Sequence, residues 1–199
     1  RFLAYSSSLD KRKWAIKIFD TKTKKSRILM NPVLTDNQVS FDPSGKFLYI
    51  ISVREFGAVY NETHFDLGFP FAFKPYVVVL AKNTASPLET PLDGPKAEVK
   101  ESPKAKAKKI EAVETVIDFE DIEHRVLPLP IDLGGYGKIA GIPGGLIYTR
   151  KKILAGADLS FDDVKGEELF VFKFDKCKEE LFLSDVKGFV VQPSGNHIL

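Results

Sequence analysis

Val39-Ser40-Phe41-Asp42-Pro43-Ser44-Gly45-Lys46-Phe47-Leu48-Tyr49-Ile50-Ile51 reads as a strand, a tight turn and a second strand. Ser40 and Asp42 flank apolar Phe41, the period-two pattern of a half-buried strand. Pro43 presets φ at the first corner of the turn, and Gly45 can take a positive φ without a side-chain clash. Phe47 to Ile51 is aromatic and β-branched, as a buried strand requires. The motif returns as Ile142-Pro143-Gly144-Gly145-Leu146-Ile147-Tyr148 and as Gln192-Pro193-Ser194-Gly195-Asn196-His197-Ile198-Leu199. The prolines at 43, 143 and 193 stand at multiples of one spacing. A repeat of about 40 to 50 residues carrying four strands is the mark of a propeller blade. The expected fold is therefore all-β, an arc of four-stranded antiparallel blades forming part of a β-propeller.

Bulk composition narrows the function classes. The chain has 199 residues, 44% hydrophobic and 28% charged, enough to bury a core and stay in water. Sixteen Phe against one Met and one Trp suit packed sheets. With 29 basic and 27 acidic residues, the net charge of +2 gives no global pull toward nucleic acid or membrane. Cys177 is the sole cysteine and has no internal partner, which fits a reducing compartment or indifference to redox, and the cytoplasm is expected. No run reaches transmembrane length, and no signal peptide opens the chain. Arg1-Phe2-Leu3-Ala4-Tyr5 and Ile198-Leu199 both lie inside strand-like patterns, as in a piece of something longer.

In chain order, residues 1–31 read as a partial blade. Arg1–Ser6 is its second strand, Trp14–Asp20 its third and Ser26–Met30 a short fourth. Residues 32–133 form a blade with two insertions. The first, 54–73, is rich in Phe and Tyr and is expected to be ordered, because so much apolar surface is not left in water. The second, 85–116, is punctuated by prolines and contains the low-complexity lysine-rich run 96–109, expected to be a flexible loop. Between them Lys74–Ala81 is the clearest single strand. Ile117–Ile122 is expected to make a brief turn, and His124–Ile131, with Pro128 and Pro130, fits only an edge strand. Residues 134–187 make a short blade, with strands at Lys138–Ile142, Leu146–Arg150, Glu168–Asp175 and Glu180–Asp185. Residues 188–199 begin another.

Few residues in this sequence carry chemistry. His64, His124 and His197 have no metal-ligand spacing, so no metal site and no cofactor are expected. Ser6-Ser7-Ser8 lacks a nucleophile elbow. Cys177, between Lys176 and Lys178, has no histidine or resolving cysteine nearby and reads as a turn residue. Gly134-Gly135-Tyr136-Gly137 and Gly141–Gly145 are not followed by a helix and read as corners rather than a phosphate loop. The 96–109 lysines lack interleaved aromatics, so a solvated loop is expected and not a nucleic-acid contact. Asn61-Glu62-Thr63 matches a glycosylation sequon by coincidence.

One ordered series of segments goes further. Lys74-Pro75-Tyr76-Val77-Val78-Val79-Leu80, Ser86-Pro87, the charged insertion, and Ile117-Asp118-Phe119-Glu120-Asp121-Ile122-Glu123-His124-Arg125-Val126-Leu127-Pro128-Leu129-Pro130 follow one another. Phe65-Asp66-Leu67-Gly68-Phe69 fits the same series. It resembles the second, seven-bladed, WD40-like propeller of the tricorn protease family. The resemblance implies a sector of a large serine peptidase that degrades short peptides, often as a hexamer. Its catalytic residues lie in later domains, so none is assigned here. By analogy the first strand of each blade lines the channel that admits or releases peptides, in segments Gln38–Phe41, Lys138–Gly141 and Gly188–Val191. Gln38, Ser40 and Lys138 are the candidate lining residues. The alternatives are a stand-alone propeller that binds proteins or peptides, and the propeller of a prolyl-oligopeptidase-like enzyme.

Overall fold

The computed structural model describes residues 1–11, 13–61, 66–68, 72–88, 114–151, 166–192 and 195–199. His64, Pro193 and the lysine run 96–109 lie outside the described residues. Nearly all the regular structure of the described chain is strand. β1 (Phe2–Ser8), β2 (Trp14–Asp20) and β3 (Lys25–Ile28) form a three-stranded sheet in that order. β4 (Thr35–Phe41), β5 (Phe47–Val53), β8 (Lys74–Val79) and β9 (Val126–Pro128) form a second sheet, and β6 (Val59–Asn61) pairs with β7 (Asp66–Gly68) inside the first insertion. β10 (Tyr136–Ile142), β11 (Gly145–Lys151), β12 (Glu167–Lys173) and β13 (Lys178–Val186) form a third. Every pairing is antiparallel, and within each blade strand order follows chain order. These sheets are blades 1, 2 and 3 of a partial propeller. Beyond them, Val190 and Leu199 exchange backbone bonds of 2.8 and 2.9 Å, closing the hairpin that opens the next blade.

β5 explains why the sheets stack. Its side chains point alternately to the two faces of the sheet. Leu48 and Ile50, with Tyr76 and Val78 of β8, pack on Ile16, Ile18, Leu29 and Met30 of blade 1. Tyr49 and Ile51, with Val77, pack on Leu146, Tyr148, Phe170 and Phe172 of blade 3. A strand buried on both faces needs an unbroken apolar run, and Phe-Leu-Tyr-Ile-Ile supplies one. β13 is the counter-example, since Leu181, Phe182 and Leu183 are each more than half exposed.

The corner glycines repeat their geometry. Gly45, Gly144 and Gly195 take φ of 69°, 69° and 74°, the left-handed region that a side chain disfavours. Gly45 N–H donates to Asp42 C=O at 2.8 Å, and Gly195 N–H to Gln192 C=O at 2.7 Å. The blade 3 corner is tighter, because β10 ends at Ile142 and β11 begins at Gly145. A Cβ on Gly195 would stand 2.6 Å from Pro143 Cδ and 3.0 Å from Pro43 Cγ, so three successive corners converge.

Two polar clusters hold the irregular parts. Asp36, fully buried on β4, accepts Ser52 Oγ–H at 2.5 Å and Arg54 NH2 at 3.0 and 3.1 Å. Burial pushes the Asp36 carboxyl above its ordinary range, against the opposing pull of Ser52 and Arg54. Arg54 also lies over the Tyr76 ring at 5.8 Å, and the neighbouring Glu55 pairs with Lys74 at 2.9 Å and accepts Tyr76 OH at 3.1 Å. Burial first, and then Glu55, raises the Tyr76 phenol. The second cluster explains segment 117–130. Residues 114–119 carry no regular structure, the turn falls at 120–121, within the expected 117–122, and a short 3-10 helix that the sequence pattern did not announce spans Ile122–Arg125. Arg125 then spends its guanidinium on three backbone carbonyls: Val79 at 3.0 Å, Glu120 at 3.0 Å, and Asp118. Asp118 in turn accepts Lys82 N–H at 2.8 Å, and Arg27 of blade 1 sits 4.0 Å over Phe119. The far side of the long insertion is thereby fastened to β8.

Three measurements check these assignments. Ile50→Ala should lower stability in urea unfolding by about 3 kcal/mol, whereas Leu181→Ala should change it by less than about 0.5 kcal/mol. Arg125→Ala should lose about 2 kcal/mol, and Arg125→Lys should recover little, because an ammonium cannot fork to three carbonyls. A raised Asp36 pKa means that the native state holds its proton at pH values where the unfolded chain has lost it. Stability from this group is then present below the unfolded pKa and declines as pH rises through the higher folded value. Asp36→Asn should therefore gain on the wild type as pH rises from the ordinary aspartate value of 3.8 toward neutrality. A wild type that gains instead would mean the Arg54 pair outweighs burial.

Candidate functional site

The three candidate lining residues all sit on first strands, but in different states. β4 and β10 each carry a register shift at the same relative place, between Asn37 and Val39 and between Tyr136 and Ile139. Gln38 is at the first bulge and Lys138 within the second, and both are exposed. Gln38 has φ 45°, so the bulge re-aims its side chain out of the strand's alternation. Two residues before it, the buried Asp36 anchors the strand. Among the described residues no side chain is bonded to the Gln38 amide. Lys138 is committed elsewhere. Its Nζ donates to Phe189 C=O at 2.6 Å and lies 5.3 Å over that ring, while its backbone N–H donates to Thr149 Oγ1 at 3.0 Å.

Ser40 is a clasp between blades. Its Oγ accepts the Gly141 N–H at 3.0 Å, tying β4 to β10. The approach is close enough that a Cβ on Gly141 would lie 2.5 Å from Phe41 O and 3.0 Å from Asp42 Cα. Residue 141 is glycine because two backbones meet there. The first strands of neighbouring blades thus touch along one line, with Gln38 as the side chain left uncommitted beside it.

The other flagged residues separate from this line. His124 is exposed in the short helix, and His197 Nδ1 is 2.7 Å from Gln192 Oε1. Cys177 is exposed at φ 49° in the turn between β12 and β13, where Lys24 (φ 57°) stands in blade 1. Among the described residues no three of His, Cys, Asp and Glu gather as metal ligands. No helix among them is long and apolar enough to cross a membrane.

Two features escape a reading of the sequence alone. The first is a half-buried polar set in blade 3. Arg150 pairs with Glu179 at 2.9 and 3.1 Å and stacks 4.0 Å over Phe170, while Tyr148 OH also donates to Glu179. Tyr136 OH donates to Asp132 C=O at 2.6 Å, and burial pushes its phenol up to about 12. Glu179 and its two partners are about thirty residues apart in sequence, and no local pattern announces them. The second is a cleft of about 760 Å³ on the corner side of blades 2 and 3, walled by Pro43, Phe47, Tyr49, Pro143 and Phe174, with Lys46 and Asn83 among its polar lining residues. The prolines mark its two corners in the sequence, but nothing there shows that they share a cleft with the aromatic residue at 174.

This geometry has counterparts among known proteins. Residues 1–199 match the family described as the tricorn protease second beta propeller domain. The chain is 30% identical over 171 residues to a tricorn protease homolog of Saccharolobus solfataricus, covering 86% of this chain and 14% of that protein. It is 29% identical over 175 residues to a putative tricorn-like protease C-terminal subunit of Sulfurisphaera tokodaii, covering 88% of this chain and 18% of that one. The crystal structure of the tricorn protease superposes with a TM-score of 0.71 at 19% identity, over 100% of this chain and 19% of that one. The chain therefore spans less than a fifth of the length of these relatives. With the family matched from the first residue to the last, and the blades stacked as that fold requires, this chain belongs to the tricorn protease second beta-propeller domain family.

Proposed function

We propose that the chain is a non-catalytic sector of a propeller, walling a channel by which peptides reach or leave a serine-peptidase site carried elsewhere in a longer protein. The observation that carries this is the line of contact between β4 and β10. First strands clasped by Ser40 and Gly141 leave Gln38 exposed at a bulge beside them. Bulges of this kind re-aim side chains at functional edges. Lys138 occupies the matching bulge and serves as a brace to Phe189. Among the described residues nothing resembles a nucleophile with its base, which suits a conduit. The exposed thiol of Cys177 suits a reducing cytoplasm. Peptide substrates and the parent's catalytic domains are the proposed partners, in a hexamer by family resemblance.

A channel restricts by size, and that property is testable. Gln38→Trp in the intact protein should lower kcat/KM for peptides of about ten residues by about tenfold, a loss of about 1.4 kcal/mol in transition-state stabilisation. Aminoacyl amides should be cleaved as before, and Gln38→Ala should behave as wild type. Equal loss for long and short substrates, or no loss for either, would remove Gln38 from the path.

A further inference from the structure

We infer that the cleft between the blade 2 and blade 3 corners is a binding site for the C-terminal end of a peptide whose last side chain is apolar. The inference rests on the peptide-handling role proposed above and names where such a peptide would pause. The cleft joins two chemistries. Its wall is apolar: Phe174 lies 6.5 Å from Phe47 and 6.1 Å from Tyr49, ring centre to ring centre, and Pro43 and Pro143 complete it. Lys46, an exposed cation that makes no ion pair among the described residues, also lines it, as does the exposed Asn83.

The one acid in the cleft is already spent. Asp42 is buried and accepts Ser44 N–H at 2.9 Å, Ser44 Oγ–H, and Tyr49 O–H at 3.2 Å. Burial and the Asp42 charge both push the Tyr49 phenol upward, so that hydroxyl stays a donor to Asp42. Asp42 keeps its charge but is buried, so the charge exposed to an incoming group is the Lys46 ammonium. A free C-terminal residue carries a carboxylate and an apolar side chain on one Cα, so a single residue can satisfy both lysine and aromatic wall. The converging corners at Pro43, Pro143 and Gly195 place the cleft beside the meeting line of the first strands.

The test compares Ala-Ala-Ala-Phe as free acid with the same peptide as C-terminal amide, titrated calorimetrically into the intact protein at low salt. The free acid should bind about fivefold tighter, the range open to one partly exposed charge pair. Lys46→Met should abolish that preference while leaving amide binding in place, and a Phe174→Leu variant should weaken both peptides. Equal affinity for acid and amide, a preference that survives Lys46→Met, or absence of binding would each overturn the site. So would equal binding of an Ala-Ala-Phe-Glu amide, which would make it a site for internal acids. If the cleft fails while Gln38→Trp still discriminates by peptide length, the channel stands and only this site falls.

Discussion

Blade 2 is held by neighbours on both faces, and most of what is distinctive in the structure follows from that. Leu48 and Ile50 need blade 1 as much as Tyr49 and Ile51 need blade 3. Burying each such side chain stabilises by about 1.5–3 kcal/mol, so stacking on both faces contributes on at least the scale of the hydrogen-bond ladders. No blade is a domain in the usual sense. Each sheet is a slab that becomes stable when stacked, as in other repeat architectures.

This constraint also governs where polar groups are placed. A packed sheet face admits a charge only if its partners come with it. Asp36 therefore arrives with Ser52 and Arg54, and Glu179 with Arg150 and Tyr148. Arg125 has no carboxylate and takes three carbonyls instead, turning a bare loop exit into a clamp. In each case a guanidinium is used, since its planar fork matches several acceptors at once. Polar residues at the first-strand contact are uncharged or braced, which leaves a single exposed amide there.

How far the sequence showed this depends on the range of each interaction. The Pro-x-Gly corners, the alternation along β5 and the edge character of β9 are local, and local patterns carried them. The match of segment 117–130 to a family was also legible, though its physical purpose was not. Nothing near Arg125 in sequence says that the carbonyl of Val79, forty-six positions earlier, will accept its hydrogen bond. Among the candidate lining residues, the sequence could place Gln38, Ser40 and Lys138 on first strands. It could not show that Ser40 would be used by Gly141, or Lys138 by Phe189, because both partners come from another blade. The bulges at 38 and 138 escaped for a similar reason, since a register shift is a property of two strands rather than one.

The contact at Gly141 has a consequence for any ring of which these blades are a sector. Two polypeptide backbones there are separated by less than any methyl group would need. In a circular array each wedge angle adds to the next, so a widening at one joint must be taken up by all the others or the circle fails to shut. A hydrogen atom at position 141 is therefore a gauge for the curvature between blades 2 and 3, set by a side chain that is not there.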